Sequence, residues 1–202
     1  MRGLALLLLV VSAAVAQTPV EAKTILVIGD SISAGYGIQR EAGWVALLSA
    51  RVAAIEPPSQ VVNASISGDT TAAALARMPR MLEVHKADIV LIELGGNDAL
   101  RGYPIDRIEQ NLDAMVSLAK TAGASVVLLG MEIPPNYGAR YTQAFRTLYA
   151  DVAKRANVAF VPFLLDGVAT DASLMQADGI HPTAAAQPRL LENVWPTLKS
   201  LL

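Results

Sequence analysis

The chain contains no cysteine, few aromatic residues and no cluster of basic residues. The lack of cysteine excludes disulfide bonds, a thiolate nucleophile and a lipid-modified cysteine after a leader. Because the formal net charge is −2 and the basic residues are scattered, nucleic acid is not an expected partner. Aromatic residues form 5% of the chain, and Trp44 and Trp195 fall in predicted helical segments. This scarcity disfavours a sugar-binding site, which relies on stacked aromatic rings.

Long hydrophobic runs are also missing. Arg2 precedes an apolar run from Leu4 to Val11, which is shorter than the ~20 residues that a membrane-spanning helix needs. The small-x-small sequence Ala14-Val15-Ala16 follows this run and is typical of a leader cleavage site. We therefore expect a signal peptide over residues 1–16, a single mature domain over residues 17–202, and a periplasmic or secreted protein. An uncleaved N-terminal anchor is the alternative.

Five apolar, β-branched runs alternate with segments rich in Ala, Leu, Arg and Lys. Such alternation predicts parallel strands joined by crossover helices. The runs are continuously apolar, as expected for strands that helices cover on both faces. We therefore predict an α/β protein, a three-layer α/β/α sandwich around a doubly wound, five-stranded parallel sheet. The predicted strands are Thr24–Ile28, Gln60–Asn63, Asp88–Leu94, Ala124–Gly130 and Val158–Pro162, and the predicted helices cover 42–55, 71–85, 105–122, 139–156 and 183–202.

A serine, a histidine and an aspartate suggest nucleophilic catalysis. Ser31 directly follows the first predicted strand, but a serine hydroxyl is a weak nucleophile unless a base takes its proton. His181 is the expected base, because the only other histidine, His85, lies in a polar helix end. Asp178 stands three residues before His181 and can accept its Nδ1 proton, which leaves Nε2 free to act. The alternatives are a turn histidine and a turn or helix-capping aspartate.

Acyl transfer also requires donors that stabilise a tetrahedral oxyanion. We expect these donors to be the backbone N–H groups of Ser31 and Gly68 and the side-chain amide of Asn97. All three residues follow predicted strands, and ligands of doubly wound sheets bind at the carboxyl ends of the strands. Taken singly, Gly68 and Asn97 are also common turn residues.

Asp30 and Asp98 flank the expected nucleophile and oxyanion donor, and we expect them to anchor loops by accepting hydrogen bonds from backbone N–H groups. A divalent-metal site built from Asp30, Asp98 and Asp178 is an alternative, although these carboxylates lack a recognisable ligand spacing. The glycines between Gly29 and Gly37 match neither a dinucleotide-binding nor a phosphate-binding pattern. We therefore expect no cofactor and no metal.

Four blocks of the chain resemble the SGNH hydrolases, a family also called the GDSL esterases and lipases. The family name refers to four residues that correspond here to Ser31, Gly68, Asn97 and His181. The signature leucine is Ile32 in this chain, a departure that leaves the nucleophile position unchanged. Longer motifs resemble, within this family, the bacterial thioesterase I/protease I/lysophospholipase L1 group and related arylesterases. These motifs are Glu93–Asp98, Leu100–Gly102, Pro135–Gly138, Arg140-Tyr141, Met175-Gln176 and Asp178–Pro182.

The resemblance implies a flavodoxin-like sandwich with a metal-free Ser-His-Asp site that hydrolyses acyl esters and thioesters through an acyl-serine intermediate. The implied substrates are small molecules such as aryl esters, acyl-CoA and lysophospholipids, with transient contact with lipid substrates, and we expect a monomer. Two alternatives stay open: a carbohydrate O-acetyl esterase with the same site, and a non-catalytic flavodoxin-like binding domain. Segments 72–81 and 133–141, together with Asn111, are expected to shape the acyl pocket.

Overall fold

The computed structural model describes residues 21–202, so the predicted signal peptide over residues 1–16 lies outside the described residues. Within this range the predicted strands are found with ends shifted by at most one residue. Their parallel pairing gives one sheet with the order second, first, third, fourth and fifth strand. The strands are β1 (Thr24–Gly29), β2 (Gln60–Asn63), β3 (Ile89–Glu93), β4 (Ser125–Leu129) and β5 (Ala159–Val161).

Helices cover both faces of the sheet and confirm the predicted α/β/α sandwich. Two short helices that the sequence did not predict begin directly after β1 and after β3. The last helix begins at Gln187 instead of residue 183, because Ala184–Ala186 form a 3₁₀ turn before it. The helices are α1 (Ser31–Ala34), α2 (Trp44–Ala53), α3 (Thr71–His85), α4 (Gly96–Leu100), α5 (Ile105–Thr121), α6 (Ala139–Ala156) and α7 (Gln187–Lys199).

The hydrophobic core lies between the sheet and its two helix layers. Residues 25–28 of β1 and residues 89–92 of β3 are buried along their whole length, which explains why both runs are apolar without alternation. Helices α3, α5 and α6 pack in one layer, and α2 packs against α7. In residues 21–202, no helix combines the length and the apolar character that a membrane span requires.

The strand order places the two central strands, β1 and β3, side by side, with Gly29 opposite Glu93. The chain leaves β1 toward β2 on one side, and it leaves β3 toward β4 on the other. At this switch point the connections diverge and open a cleft at the carboxyl ends of the strands. Ser31 lies at the start of α1 and Asn97 in the first turn of α4, so both residues reach this cleft.

Candidate active site

The structure brings Ser31, His181 and Asp178 together in one hydrogen-bonded chain. The Nε2 atom of His181 lies 2.8 Å from Oγ of Ser31, and its Nδ1 atom lies 2.7 Å from Oδ2 of Asp178. With the Nδ1 atom protonated and donating to the carboxylate, Nε2 is free to accept the Ser31 proton. The arrangement therefore has the geometry of a nucleophile, a general base and an orienting acid.

The orienting carboxylate is fixed by its own loop. Oδ1 of Asp178 accepts the backbone N–H groups of His181 at 3.0 Å and Ile180 at 2.9 Å, which leaves Oδ2 for the imidazole. These hydrogen bonds lower the pKa of Asp178 to about 2, and the hydrogen bond from the His181 backbone N–H has the largest effect. Gly179 adopts a left-handed backbone with φ +67°, which allows the tight turn. The acid is thus ionised at neutral pH and holds the imidazole from one side.

The nucleophile begins the short helix α1. Asp30 caps this helix, since its Oδ1 atom accepts the N–H of Ile32 at 3.0 Å. The ring of Tyr36, two residues past α1, lies over the His181 imidazole with 4.6 Å between the ring centroids and a tilt of 42°. The base is therefore held between an aromatic ring and the Asp178 carboxylate. The aromatic contact was not predicted, because nothing in the local sequence around Tyr36 distinguishes it.

The expected oxyanion donors lie close together, but only two of them line the cleft. Ser31 and Asn97 line it, whereas Gly68 is not among its lining residues. Nδ2 of Asn97 donates to the backbone carbonyl of Asp69, the residue that follows Gly68, at 3.0 Å. Gly68 has φ +84°, and a Cβ built there would meet no atom within 4 Å. The space beside its Cα is therefore free of other protein atoms.

A pair of buried acids lies beneath the nucleophile. Glu93, fully buried at the end of β3, accepts the Ser33 hydroxyl at 2.7 Å and the Asp30 N–H at 3.3 Å. Burial, together with the nearby charge of Asp30, raises the pKa of Glu93 well above its ordinary value. Burial also raises the pKa of Asp30 to about 6. No role was predicted for Glu93, although a single acid at the end of the apolar strand β3 was an available signal in the sequence.

The flanking aspartates anchor loops as predicted. Both carboxylate oxygens of Asp98 bind Thr71, one accepting its N–H at 2.8 Å and the other its hydroxyl at 2.6 Å. In the part of the chain that the structure describes, no group of three or more His, Asp or Glu residues has the arrangement to hold a metal ion. Asp30, Asp98 and Asp178 each accept hydrogen bonds from a different residue, Ile32, Thr71 and His181 respectively.

The cleft beside Ser31 has a volume of about 510 Å³ and largely apolar walls. The prediction that segment 133–141 shapes it is correct for Ile133, Pro134 and Pro135. The prediction for segment 72–81 and Asn111 is wrong, since none of these residues lines the cleft. The Asn111 amide instead donates to the Thr71 hydroxyl at 2.9 Å, behind α3. The other apolar walls come from Ile32, Leu100, Met131, Phe163, Leu165, Ala169, Met175 and Ile180.

The chain is similar in sequence and in fold to known proteins. Residues 27–188 match the GDSL-like Lipase/Acylhydrolase family. The chain is 56% identical to the esterase TesA of Pseudomonas aeruginosa over 181 residues, which is 90% of each chain. It is 42% identical to the thioesterase 1/protease 1/lysophospholipase L1 of Escherichia coli K12 over 181 residues, 90% of this chain and 86% of that one. A crystal structure of TesA superimposes with a TM-score of 0.85 and 55% identity, covering 89% of this chain and 100% of the other.

Proposed function

Because this chain belongs to the GDSL-like lipase/acylhydrolase family and is a serine esterase, we propose that Ser31, His181 and Asp178 are its catalytic residues. The observation that carries this proposal is the continuous hydrogen-bonded chain from the Asp178 carboxylate through the imidazole to Oγ of Ser31. Each member of such a chain has one role: nucleophile, base and orienting acid.

The proposed reaction has two halves. Nε2 of His181 takes the proton of Ser31 while Oγ attacks the acyl carbonyl, and the ionised Asp178 stabilises the imidazolium that forms. When the tetrahedral intermediate collapses, the imidazolium gives its proton to the leaving alcohol or thiol, and an acyl-serine remains. A water molecule then attacks the acyl-serine while the same imidazole takes its proton. When this second tetrahedral intermediate collapses, the bond to Oγ of Ser31 breaks, the imidazolium returns the proton to Oγ, and the acid is released.

The oxyanion formed in each half is proposed to bind the backbone N–H groups of Ser31 and Gly68 and the Asn97 amide. Each such donor contributes about 3 kcal/mol to the stability of the transition state. In the free site Nδ2 of Asn97 donates to Oδ2 of Asp30 at 3.1 Å and to the Asp69 carbonyl at 3.0 Å. An oxyanion must therefore take over or share one of these hydrogens. Both acceptors hold the amide in place until that happens.

The proposed substrates are acyl esters and thioesters with an apolar acyl group, including aryl esters, acyl-CoA and lysophospholipids. Support comes from the apolar walls of the cleft and from the likeness to a relative named as thioesterase and lysophospholipase. Among the lining residues Phe163 is the only non-histidine aromatic side chain, so stacked rings for a sugar ring are not available in the cleft. A carbohydrate O-acetyl esterase is accordingly the less favoured alternative.

We further propose that residues 1–16 direct export and are then removed, and that the mature protein acts as a monomer. The proposal of export rests on the apolar run and the Ala14-Val15-Ala16 sequence. The proposal of a monomer is supported by a hydrophobic core that one chain forms by itself. N-terminal sequencing of the exported protein tests the removal of residues 1–16. Size-exclusion chromatography with light scattering tests whether the protein is a monomer.

The test of function is hydrolysis of p-nitrophenyl esters from acetate to palmitate by residues 17–202, with acyl-CoA and lysophospholipid as parallel substrates. Ser31→Ala should abolish turnover. Ser33→Ala should retain it, because the Ser33 hydroxyl of the wild type donates to Glu93 and the hydroxyl that contacts His181 is that of Ser31. Turnover that persists in Ser31→Ala would overturn the proposed mechanism. Activity confined to acetate would overturn the proposed long-chain substrates, acyl-CoA and lysophospholipids, and would favour an arylesterase or an O-acetyl esterase.

A further inference from the structure

Gln176 connects the loop that carries the nucleophile with the loop that carries the base. Its Nε2 atom donates to the backbone carbonyl of Tyr36 at 2.8 Å and to that of Pro182 at 3.0 Å. Its backbone N–H donates to the carbonyl of His181 at 2.7 Å. One residue therefore fixes two segments that lie at opposite ends of the sequence.

The Tyr36 end of this connection reaches the reacting groups directly. The backbone N–H of Tyr36 donates to the carbonyl of Ser31 at 3.0 Å, and its ring lies over the His181 imidazole. Because Gln176 donates a hydrogen bond to the Tyr36 carbonyl, it holds the Tyr36 ring against the His181 imidazole and the Tyr36 backbone against Ser31. The face of a tyrosine ring also attracts a cation, which favours the imidazolium that forms during catalysis.

Gly37 leaves the space that this connection needs. A Cβ at position 37 would overlap the side-chain amide of Gln176, and the backbone there has φ +75°, a conformation that side chains disfavour. The glycine next to Tyr36 therefore allows Gln176 to reach across. Gly37 and Gln176 lie far apart in the sequence, and both are needed for the hydrogen bond between Gln176 and the Tyr36 carbonyl.

We propose that Gln176 is a positioning residue for the esterase reaction, which holds His181 and Tyr36 in place relative to Ser31. Gln176 touches none of the reacting atoms and acts through the two loops. The inference rests on the proposed catalytic residues. Its effect should be on the rate of the chemical steps, because the hydrogen bond between nucleophile and base depends on the relative position of the two loops.

The first test compares Gln176→Met with Gln143→Met, which makes the same change at an exposed position of α6. Active sites are counted with a covalent serine-directed phosphonate, so that kcat refers only to competent molecules. We expect Gln176→Met to lower kcat per titrated site about tenfold with KM changed less than about twofold, because misplacement of catalytic groups costs rate. Gln143→Met should match the wild type. A wild-type kcat per titrated site in Gln176→Met would overturn the proposal.

The second test does not depend on how Gln176→Met folds. We expect Gly37→Ala to lower kcat because the new methyl group displaces the Gln176 amide. In a Gln176→Ala background only the strain of a side chain at φ +75° remains, so Gly37→Ala should lower kcat by a smaller factor there than it does in the wild type, and the two losses should not simply multiply. Losses that multiply would contradict a shared contact. Ser31→Ala, measured alongside, separates the two hypotheses: if it is inactive while the Gln176 variants are normal, only the positioning role fails.

Discussion

The Asn97 amide donates to the Asp30 carboxylate across 3.1 Å, and the other oxygen of that carboxylate caps the helix that begins with Ser31. A single buried carboxylate thus joins the proposed oxyanion donor to the nucleophile helix. Asp30 follows β1 directly and Asn97 lies in the first turn of α4, which follows β3, and these two strands are adjacent. Correct pairing of these central strands is therefore enough to bring the nucleophile and the donor together.

This arrangement predicts the effect of removing the donor. Asn97→Ala should lower kcat on the order of 10²-fold and leave KM nearly unchanged, because the amide stabilises charge that develops in the transition state. The measurement is steady-state hydrolysis of a p-nitrophenyl ester. Asn193→Ala is the matched control, since that amide also donates to two backbone carbonyls but lies outside the cleft. An equal loss of kcat in both variants would indicate general destabilisation instead of a lost oxyanion donor.

A second prediction concerns the acid of the triad. Asp178→Asn should lower kcat at least about 10³-fold, because an amide cannot stabilise the imidazolium and can favour the wrong tautomer. Asp171→Asn is the control. The Asp171 carboxylate also accepts hydrogen bonds from its own loop, from the N–H and the hydroxyl of Ser173, but it does not contact the triad. Asp171→Asn should keep wild-type kcat. The proposed role of Asp178 fails if its variant retains more than about a tenth of the activity.

The sequence was sufficient for the strands and for the main helices because each of these is encoded locally. Continuous apolar runs predicted β1 and β3, and the three-residue spacing predicted the contact between Asp178 and His181. The approach of Ser31 to His181 was predicted less directly, from the expectation that strand ends share one edge of the sheet. Local pattern and sheet topology together thus specified the three residues that carry the proposed chemistry.

A local sequence pattern could not predict the walls of the cleft or the contacts that position the site residues. Segment 72–81 follows a proposed site loop in the sequence, yet α3 packs against α5 and does not face the cleft. Gln176 and Tyr36 are 140 positions apart, and only the folded loops reveal their hydrogen bond. The polar partners of Glu93 likewise depend on the pleat of β3 and on the adjacent loop. Such contacts are set by the register between distant segments.

A third prediction concerns stability against pH. The folded-state pKa values of Glu93 and Asp30 are raised by burial, so their contribution to stability is present below about pH 4 and is lost as pH rises through the raised values. The Tm of the wild type should therefore carry a downward component as the pH rises from about 4 through about 6, the raised pKa of Asp30, and this component should continue through the raised pKa of Glu93. Glu93→Gln removes one titrating group and its repulsion of Asp30, and should flatten the curve.

Thermal unfolding followed by circular dichroism across this pH range measures the effect. Glu83→Gln is the control, because it removes the same charge from an exposed residue of α3. Its curve should run parallel to that of the wild type. A Glu93→Gln curve as steep as the wild-type curve would show that the buried acids do not set the slope.

The last prediction tests whether the cleft binds the acyl chain. Ala169 lines the cleft, and Ala169→Phe should fill part of its volume of about 510 Å³. Hydrolysis of long-chain p-nitrophenyl esters should then fall at least about tenfold in kcat/KM relative to the acetate ester, because the displaced methylene groups lose their apolar contacts.

Ala72→Phe is the control, and it places the same ring on the exposed face of α3. This segment was wrongly predicted to line the cleft, so the variant should leave the chain-length profile unchanged. If Ala72→Phe shortens the preferred chain while Ala169→Phe does not, the acyl group binds along α3 instead. If neither variant alters the profile, the acyl chain lies outside both surfaces, and the apolar cleft has another role.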